Sequence, residues 1–235
     1  MAMNKTEFDR FADEYKTVHA ASLSSFEKNS EYFIEYKIRD IACGCGFTSR
    51  KSNTQFKIMD FGAGTGESIP YVKKYFNNVE LTCVDVSARS LDVAERNFPG
   101  LAQYIYFDGV QIPFVDNYFD VIYVACVFHH VDDVAHLCII KELHRVLKPK
   151  GHFYIFEHNP FNPLTTHVVR NCPFDEHAHL IQAPVMRRKL MQVGFNQVTL
   201  RYRYFFPDFL KAFRPIEKFL GWLPLGGQYS VSAMK

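Results

Sequence analysis

Ile58-Met59-Asp60-Phe61-Gly62-Ala63-Gly64-Thr65-Gly66-Glu67 is the stretch whose reading decides the fold. An apolar, β-favouring run from Phe56 to Phe61 enters a turn with three glycines, and a helix-like segment from Ser68 to Phe76 leaves it. Glycine admits positive φ and lets a ligand approach the backbone with no Cβ in the way. A helix starting there points its unpaired N–H groups and the positive end of its dipole over the loop. Strand, turn and helix in this order make a cradle for a polar, nucleotide-like ligand.

The loop's details narrow the ligand. A dinucleotide fingerprint needs Gly-x-Gly-x-x-Gly, but Glu67 occupies the third glycine's place and Gly66 comes one residue early. A carboxylate in the first helical turn repels a pyrophosphate. No Gly-Lys-Ser/Thr follows, which excludes a Walker loop. A ligand with a single carboxylate and a positive centre fits better.

Outward from the loop, strands and helices alternate. Glu80–Val86 reads as a second strand, with Ser87 capping a helix that Pro99-Gly100 stops. Ala102–Phe107 is a third strand. Phe119–Phe128 is nearly all apolar, as a central parallel strand covered on both faces would be. A helix opened by Asp132 and Asp133 closes at Lys148-Pro149-Lys150-Gly151, and His152–Glu157 is the fifth strand. A helix over Val185–Val193, a strand over Phe195–Tyr204, a Pro-interrupted aromatic helix over Pro207–Leu220 and a last strand over Gln228–Ala233 follow. Such alternation predicts an open, doubly wound α/β sheet with ligands beyond the C-terminal strand ends. Phe8, Phe11, Tyr15 and Val18, then Phe33, Tyr36 and Ile41, mark one or two helices before a loop over Cys43–Asn53. The chain thus divides into N-terminal helices over 1–54, a candidate lid, and a domain over 55–235 with an insertion at about 158–183.

Acids close the next two strands. Asp85 ends the second, where a carboxylate accepts from both hydroxyls of a ribose. Asp108-Gly109 ends the third, where a carboxylate can accept from an adenine amino group. Together, Asp60-Phe61-Gly62-Ala63-Gly64-Thr65-Gly66, Asp85, Asp108-Gly109, Ile112-Pro113-Phe114 to Asp120-Val121-Ile122 and Phe128-His129-His130-Val131 resemble class I S-adenosylmethionine-dependent methyltransferases. The resemblance spans about Phe56 to Phe156. It implies a Rossmann-like, mostly parallel seven-stranded sheet whose last strand is antiparallel. It further implies that Gly62, Ala63, Gly64, Thr65 and Gly66 hold the methionine portion, Asp85 and Val86 the ribose, and Asp108 and Gly109 the adenine. Asp60 would orient the loop or meet the amino group. Ala125 and Cys126 would lie by the sulfonium, and S-adenosylhomocysteine would be the product.

Methyl transfer needs the acceptor atom in line with an activated methyl, and an oxygen acceptor also needs a base within reach. His130, Glu157 and His158, at the ends of strands four and five, are the catalytic candidates. The segment from Glu157-His158-Asn159-Pro160 to Asp175-Glu176-His177-Ala178-His179 is placed to build an acceptor pocket. Asp175, His177 and His179, or His167 and Cys172, could ligate a metal, but they lack a defined metal spacing, so no metal is expected. Cys43-Gly44-Cys45 lacks a second pair at zinc spacing.

Net charge is only +2, with no block of Lys or Arg, so nothing demands a nucleic-acid partner. DNA amino-methyltransferases of this fold carry an Asn/Asp-Pro-Pro-Tyr/Phe loop after the fourth strand, where this chain has Ala125-Cys126-Val127-Phe128-His129. The charged, amphipathic beginning and the six cysteines without an export signal suggest a cytoplasmic protein with reduced thiols. Arg201 to Pro224 mixes aromatics with Lys and Arg. The expectation is core plus a solvated face, with weak membrane-surface contact as the minority reading. The sequence therefore points to methyl transfer from S-adenosylmethionine to a small molecule at oxygen, the acceptor a sugar, quinone-like or lipid-linked. A nicotinamide-dependent oxidoreductase and a non-catalytic S-adenosylmethionine-binding protein are the alternatives.

Overall fold

In the computed structural model, residues 31–46, 55–175 and 177–235 are described, together with the side chains of all of them except Phe174. The expectations for residues 1–30 and 47–54 fall outside them.

Seven strands form one sheet: β1 (Phe56–Phe61), β2 (Val79–Asp85), β3 (Gln103–Tyr106), β4 (Phe119–Ala125), β5 (Leu147–His158), β6 (Asn196–Arg203) and β7 (Gln228–Met234). Their order is β3-β2-β1-β4-β5-β7-β6. β1 to β5 pair in parallel, while β7 runs antiparallel between β5 and β6. This is the Rossmann-like methyltransferase sheet expected from the sequence. The strand order reverses between β1 and β4, so a crevice opens beyond their carboxyl ends.

Helices cover both faces. On one, α1 (Glu31–Gly44), α2 (Ile69–Tyr75) and α3 (Ala88–Asn97) bury Tyr36, Ile38, Ile41, Val72 and Leu91 against Ile58, Val121, Tyr123 and Phe156. On the other, α4 (Asp133–Val146) and α6 (Ala183–Val193) bury Ile140, Leu143, Met186 and Leu190 against Met59, Ile122, Val124 and Ile155. α5 (Pro163–Arg170) stands in the insertion and the single turn α7 (Glu217–Leu220) near the end. Ser87 caps α3 by accepting the Ser90 N–H at 3.0 Å, as its place before the apolar face predicts.

Four expectations change. α1 runs through Cys43, so the helix extends into the expected loop, and it is packed on the sheet, tied to β6 by an Arg203–Asp40 ion pair. β4 stops at Ala125, three residues early: Cys126 turns to φ +59°, and Phe128–His130 forms a 3-10 turn. Lys148-Pro149-Lys150-Gly151 lies inside β5 as an irregularity, where pairing shifts from Phe119–Leu147 to Val121–His152. Lys150 takes φ +64° there. The Pro207–Leu220 helix is mostly 3-10, over Asp208–Ile216, because Pro215 removes a helical donor.

The turn after β1 explains one glycine. Gly62 has φ +78°, and a Cβ there would meet the Val127 side chain at 2.3 Å. Its N–H donates to Val84 O at 2.7 Å. Gly62→Ala should cost more than about 2 kcal/mol from backbone strain and this clash, read from urea unfolding. Gly64→Ala, with φ +53° but nothing within 4 Å of the added carbon, should cost about 1–2 kcal/mol.

Candidate active site

The cradle after β1 is open above and fixed below. Both carboxylate oxygens of Asp85 brace it: Oδ2 accepts the Gly64 N–H and Oδ1 the Ser87 N–H, each at 2.8 Å. These two bonds fix the carboxylate at the end of β2, facing the glycine turn. Thr65 Oγ1 is buried without a hydrogen-bond partner, an arrangement that a polar ligand would complete. Asp60 lies beneath, bonded to Ser68, whose hydroxyl also accepts from Tyr123 at 3.0 Å. Burial pushes the Asp60 carboxyl up to about 6, against these two hydroxyls. Its contacts anchor the start of α2. Val86 is buried in the core. Asp108 is exposed, and its Oδ1 accepts from Val110 and Gln111 at 2.8 and 3.0 Å, holding its own loop. Those two bonds lower its pKa.

At the end of β4 a second group converges. Glu157, buried on β5, accepts the Val127 and Phe128 N–H groups on Oε1 at 3.0 and 2.7 Å and the His129 Nδ1–H on Oε2 at 2.6 Å. That occupies the carboxylate, so Glu157, grouped in the sequence with the catalytic candidates, is a positioning residue beneath the site. His136 Nε2 steadies the same turn through the carbonyls of Phe128 and Val131, at 3.0 and 2.9 Å.

His129 faces two carboxylates, Glu157 on Nδ1 and Asp175 on Nε2, the latter at 3.4 Å. Burial alone would lower its pKa; the two acids override burial and raise it to about 10. Asp175 is held well below the ordinary carboxylate range despite burial, by His129 first. Burial and the charge of His129 drive His130 down to about 3. His158 lies beside His129, ring centres 5.1 Å apart. Burial lowers its pKa, but the neighbouring Cys126 gives a net rise.

Two of these residues were not legible as site residues. Lys37 of α1 sends its ammonium to Cys126 Sγ at 3.3 Å. It lies on the inward face that Phe33, Tyr36 and Ile41 mark, and a lysine in register with an apolar stripe was the available signal. Gln228 of β7 approaches the same sulfur at 3.9 Å and pairs with Tyr36. The sequence grouped Asp175 with His177 and His179; the fold instead brings it to His129 and His130, leaving those two histidines exposed. The His179 N–H donates to His129 O at 2.8 Å, which pins the insertion against the β4 turn.

Residues 59–155 match the family model described as a methyltransferase domain. That span runs from β1 into β5, less than half of the chain. S-adenosylmethionine is the cofactor of this domain type, and the glycine cradle, the paired oxygens of Asp85 and the orphaned Thr65 hydroxyl fit it. A demethylmenaquinone methyltransferase of Thermotoga maritima is 34% identical over 106 residues, 45% of either chain. A ubiquinone/menaquinone biosynthesis C-methyltransferase of Desulfotalea psychrophila is 23% identical over 154 residues, 65% of this chain and 57% of that one. The chain thus spans about half the length of these relatives. In structure, it resembles a SAM-dependent methyltransferase from Archaeoglobus fulgidus with a TM-score of 0.68 at 16% identity, over 91% of this chain and 97% of the other.

Burial by itself would raise the Cys126 thiol, but the Lys37 ammonium and His158 bring it down to about 7. Alkylation of Cys126 by iodoacetamide, followed by peptide mass spectrometry, should therefore reach half its maximal rate near pH 7. In Lys37→Met the midpoint should move up toward the ordinary value of about 8.5. An unmoved midpoint would show that Lys37 does not set the thiolate.

Proposed function

We propose that this chain transfers the methyl group of S-adenosylmethionine to a hydroxylated, quinol-like ring carried on a lipid or similarly apolar tail. The observation that carries the reading is that the Asp85-braced glycine turn packs on Val127, at the start of the turn that carries His130. The cofactor supplies an activated methyl on a sulfonium. Gly62 to Gly66 with Thr65 would hold its methionine portion, Asp85 and Val86 its ribose, Asp108 and Gly109 its adenine, and Ala125 and Cys126 would border the sulfonium.

His158 is the base in this reading: its net raised pKa suits it to take a proton from the acceptor hydroxyl. His130 lines the same wall as a neutral ring. A deprotonated ring hydroxyl can be alkylated at its oxygen or at the adjacent ring carbon. Oxygen is the first reading, because transfer there is complete once the hydroxyl proton is gone, whereas a ring carbon must still shed its hydrogen. The second reading, carbon, draws support from the quinone C-methyltransferase similar to this chain.

An apolar acceptor also agrees with the surface beside the site. Phe209, Phe213, Phe219 and Trp222 are exposed, Trp222 by 75%, with Lys211 and Lys218 among them. Tyr202, Tyr204 and Phe205 pack on the core side as expected, while these four aromatics face outward. Asn159, next to His158, donates to the carbonyls of Pro224 and Gly226 at 3.1 and 2.7 Å, tying this surface to the site edge. No helix among the described residues is long and apolar enough to cross a membrane.

Incubation with 13C-methyl-labelled cofactor and a panel of alkylated hydroquinones should yield a labelled product, whose carbon shift separates methyl ether from ring methyl. No transfer to any phenolic ring, with normal S-adenosylhomocysteine binding, would overturn the acceptor class. His158→Gln should slow turnover about 10²–10⁴-fold with cofactor affinity kept. Asp85→Asn should weaken S-adenosylhomocysteine binding by about 1.5–3 kcal/mol in calorimetry. On phosphatidylglycerol vesicles, the Phe219→Ser/Trp222→Ser variant should sediment at least about tenfold less than the parent chain.

A further inference from the structure

We infer that His129, His130 and Asp175 form a binding site for a divalent ion of the zinc class, at the wall of the crevice. One ligating atom from each of the three lies within 4.8 Å of the others. Asp175 Oδ1 is 3.4 Å from both His129 Nε2 and His130 Nε2.

These two distances are long for N–H···O hydrogen bonds, which cluster at about 2.7–3.2 Å. They agree with two donors sharing one ion. Ligands about 2.0–2.2 Å from a tetrahedral ion stand about 3.3–3.5 Å apart. An octahedral magnesium, with ligands near 2.1 Å, would bring them to about 3.0 Å. The third edge, between the two histidines, lies within 4.8 Å.

The surroundings have the form of a metal's supporting shell. His129 Nδ1–H donates to the buried Glu157 carboxylate at 2.6 Å. That leaves Nε2 facing Asp175, and once an ion has displaced its proton the bond to Glu157 makes the ring a stronger ligand. Glu157 is itself held by two backbone N–H groups. His130 is the next residue in the same 3-10 turn, and Asp175 ends a second one, Pro173–Asp175. The His179–His129 backbone bond clamps the two segments together. Imidazole and one carboxylate suit zinc, and three protein ligands leave a fourth position for water or an oxygen of the acceptor. Binding displaces the proton that His129 otherwise shares with Asp175. Only the role of the fourth position, lowering the pKa of an acceptor hydroxyl, rests on the proposed function.

The test is zinc titration of the chelator-treated full chain by calorimetry, without cofactor or acceptor. One zinc per chain is expected, and cobalt in its place should give the intense visible bands of a tetrahedral site. Asp175→Asn and His130→Gln should each weaken zinc at least about 100-fold and abolish the cobalt bands, while His177→Ala/His179→Ala should leave both unchanged. Unaltered S-adenosylhomocysteine binding certifies that each variant is folded. Equal zinc affinity in the parent and both site variants, or no tetrahedral cobalt spectrum, would overturn the site. Failure of methyl transfer with zinc bound as expected would count against the proposed function alone.

Discussion

One buried carboxylate sets the geometry of the crevice. Glu157 lies under the end of β4, where the chain must leave the sheet, and it accepts two consecutive backbone N–H groups and a histidine ring. A buried acid is tolerable only when its charge is answered, and these three hydrogen bonds all come from the turn carrying His129 and His130. The turn exists in this form because the acid is there. The position of the histidines, their charge difference and the approach of the insertion through His179 all follow from that anchor.

The two halves of the crevice are built by different means. On the cofactor side the backbone dominates: glycines, strand ends and an aspartate holding a loop amide. On the acceptor side ionisable side chains dominate, crowded enough that neighbours dictate each other's charge. The two acids facing His129 raise its pKa despite burial, and burial together with the charge of His129 lowers that of His130. Lys37 and His158 do for Cys126 what the acids do for His129, with the signs reversed. Such mutual control needs a low-dielectric setting, which the helices on both sheet faces provide.

Local chemistry was legible in the sequence and tertiary pairing was not. The glycine loop, Asp85 and Asp108 announce themselves because each sits at a strand end, where hydrophobic run meets turn residue. The end of β4 was misread because Val127 and Phe128 continue the apolar run, while the group that takes their N–H bonds, Glu157, lies 30 residues on from Val127. Asp175 was grouped with His177 and His179 for nearness in sequence. Its partners come from another strand end, which no spacing reveals. The aromatics near Trp222 were read inward by rule, but Pro207 and Pro215 leave a 3-10 segment, which lacks the continuous stripe that an α-helix would bury.

Cys126 carries a tension between folding and chemistry. Its φ of +59° is a conformation that glycine or asparagine adopts at less cost. Were the position shaped by stability alone, substitution to glycine would be a gain. The sulfur, with Lys37, His158 and Gln228 around it, ties α1, β5 and β7 to one point beside the crevice. Stabilising this chain by consensus-like relief of backbone strain would therefore loosen the junction of three elements at the point where they meet the ligand.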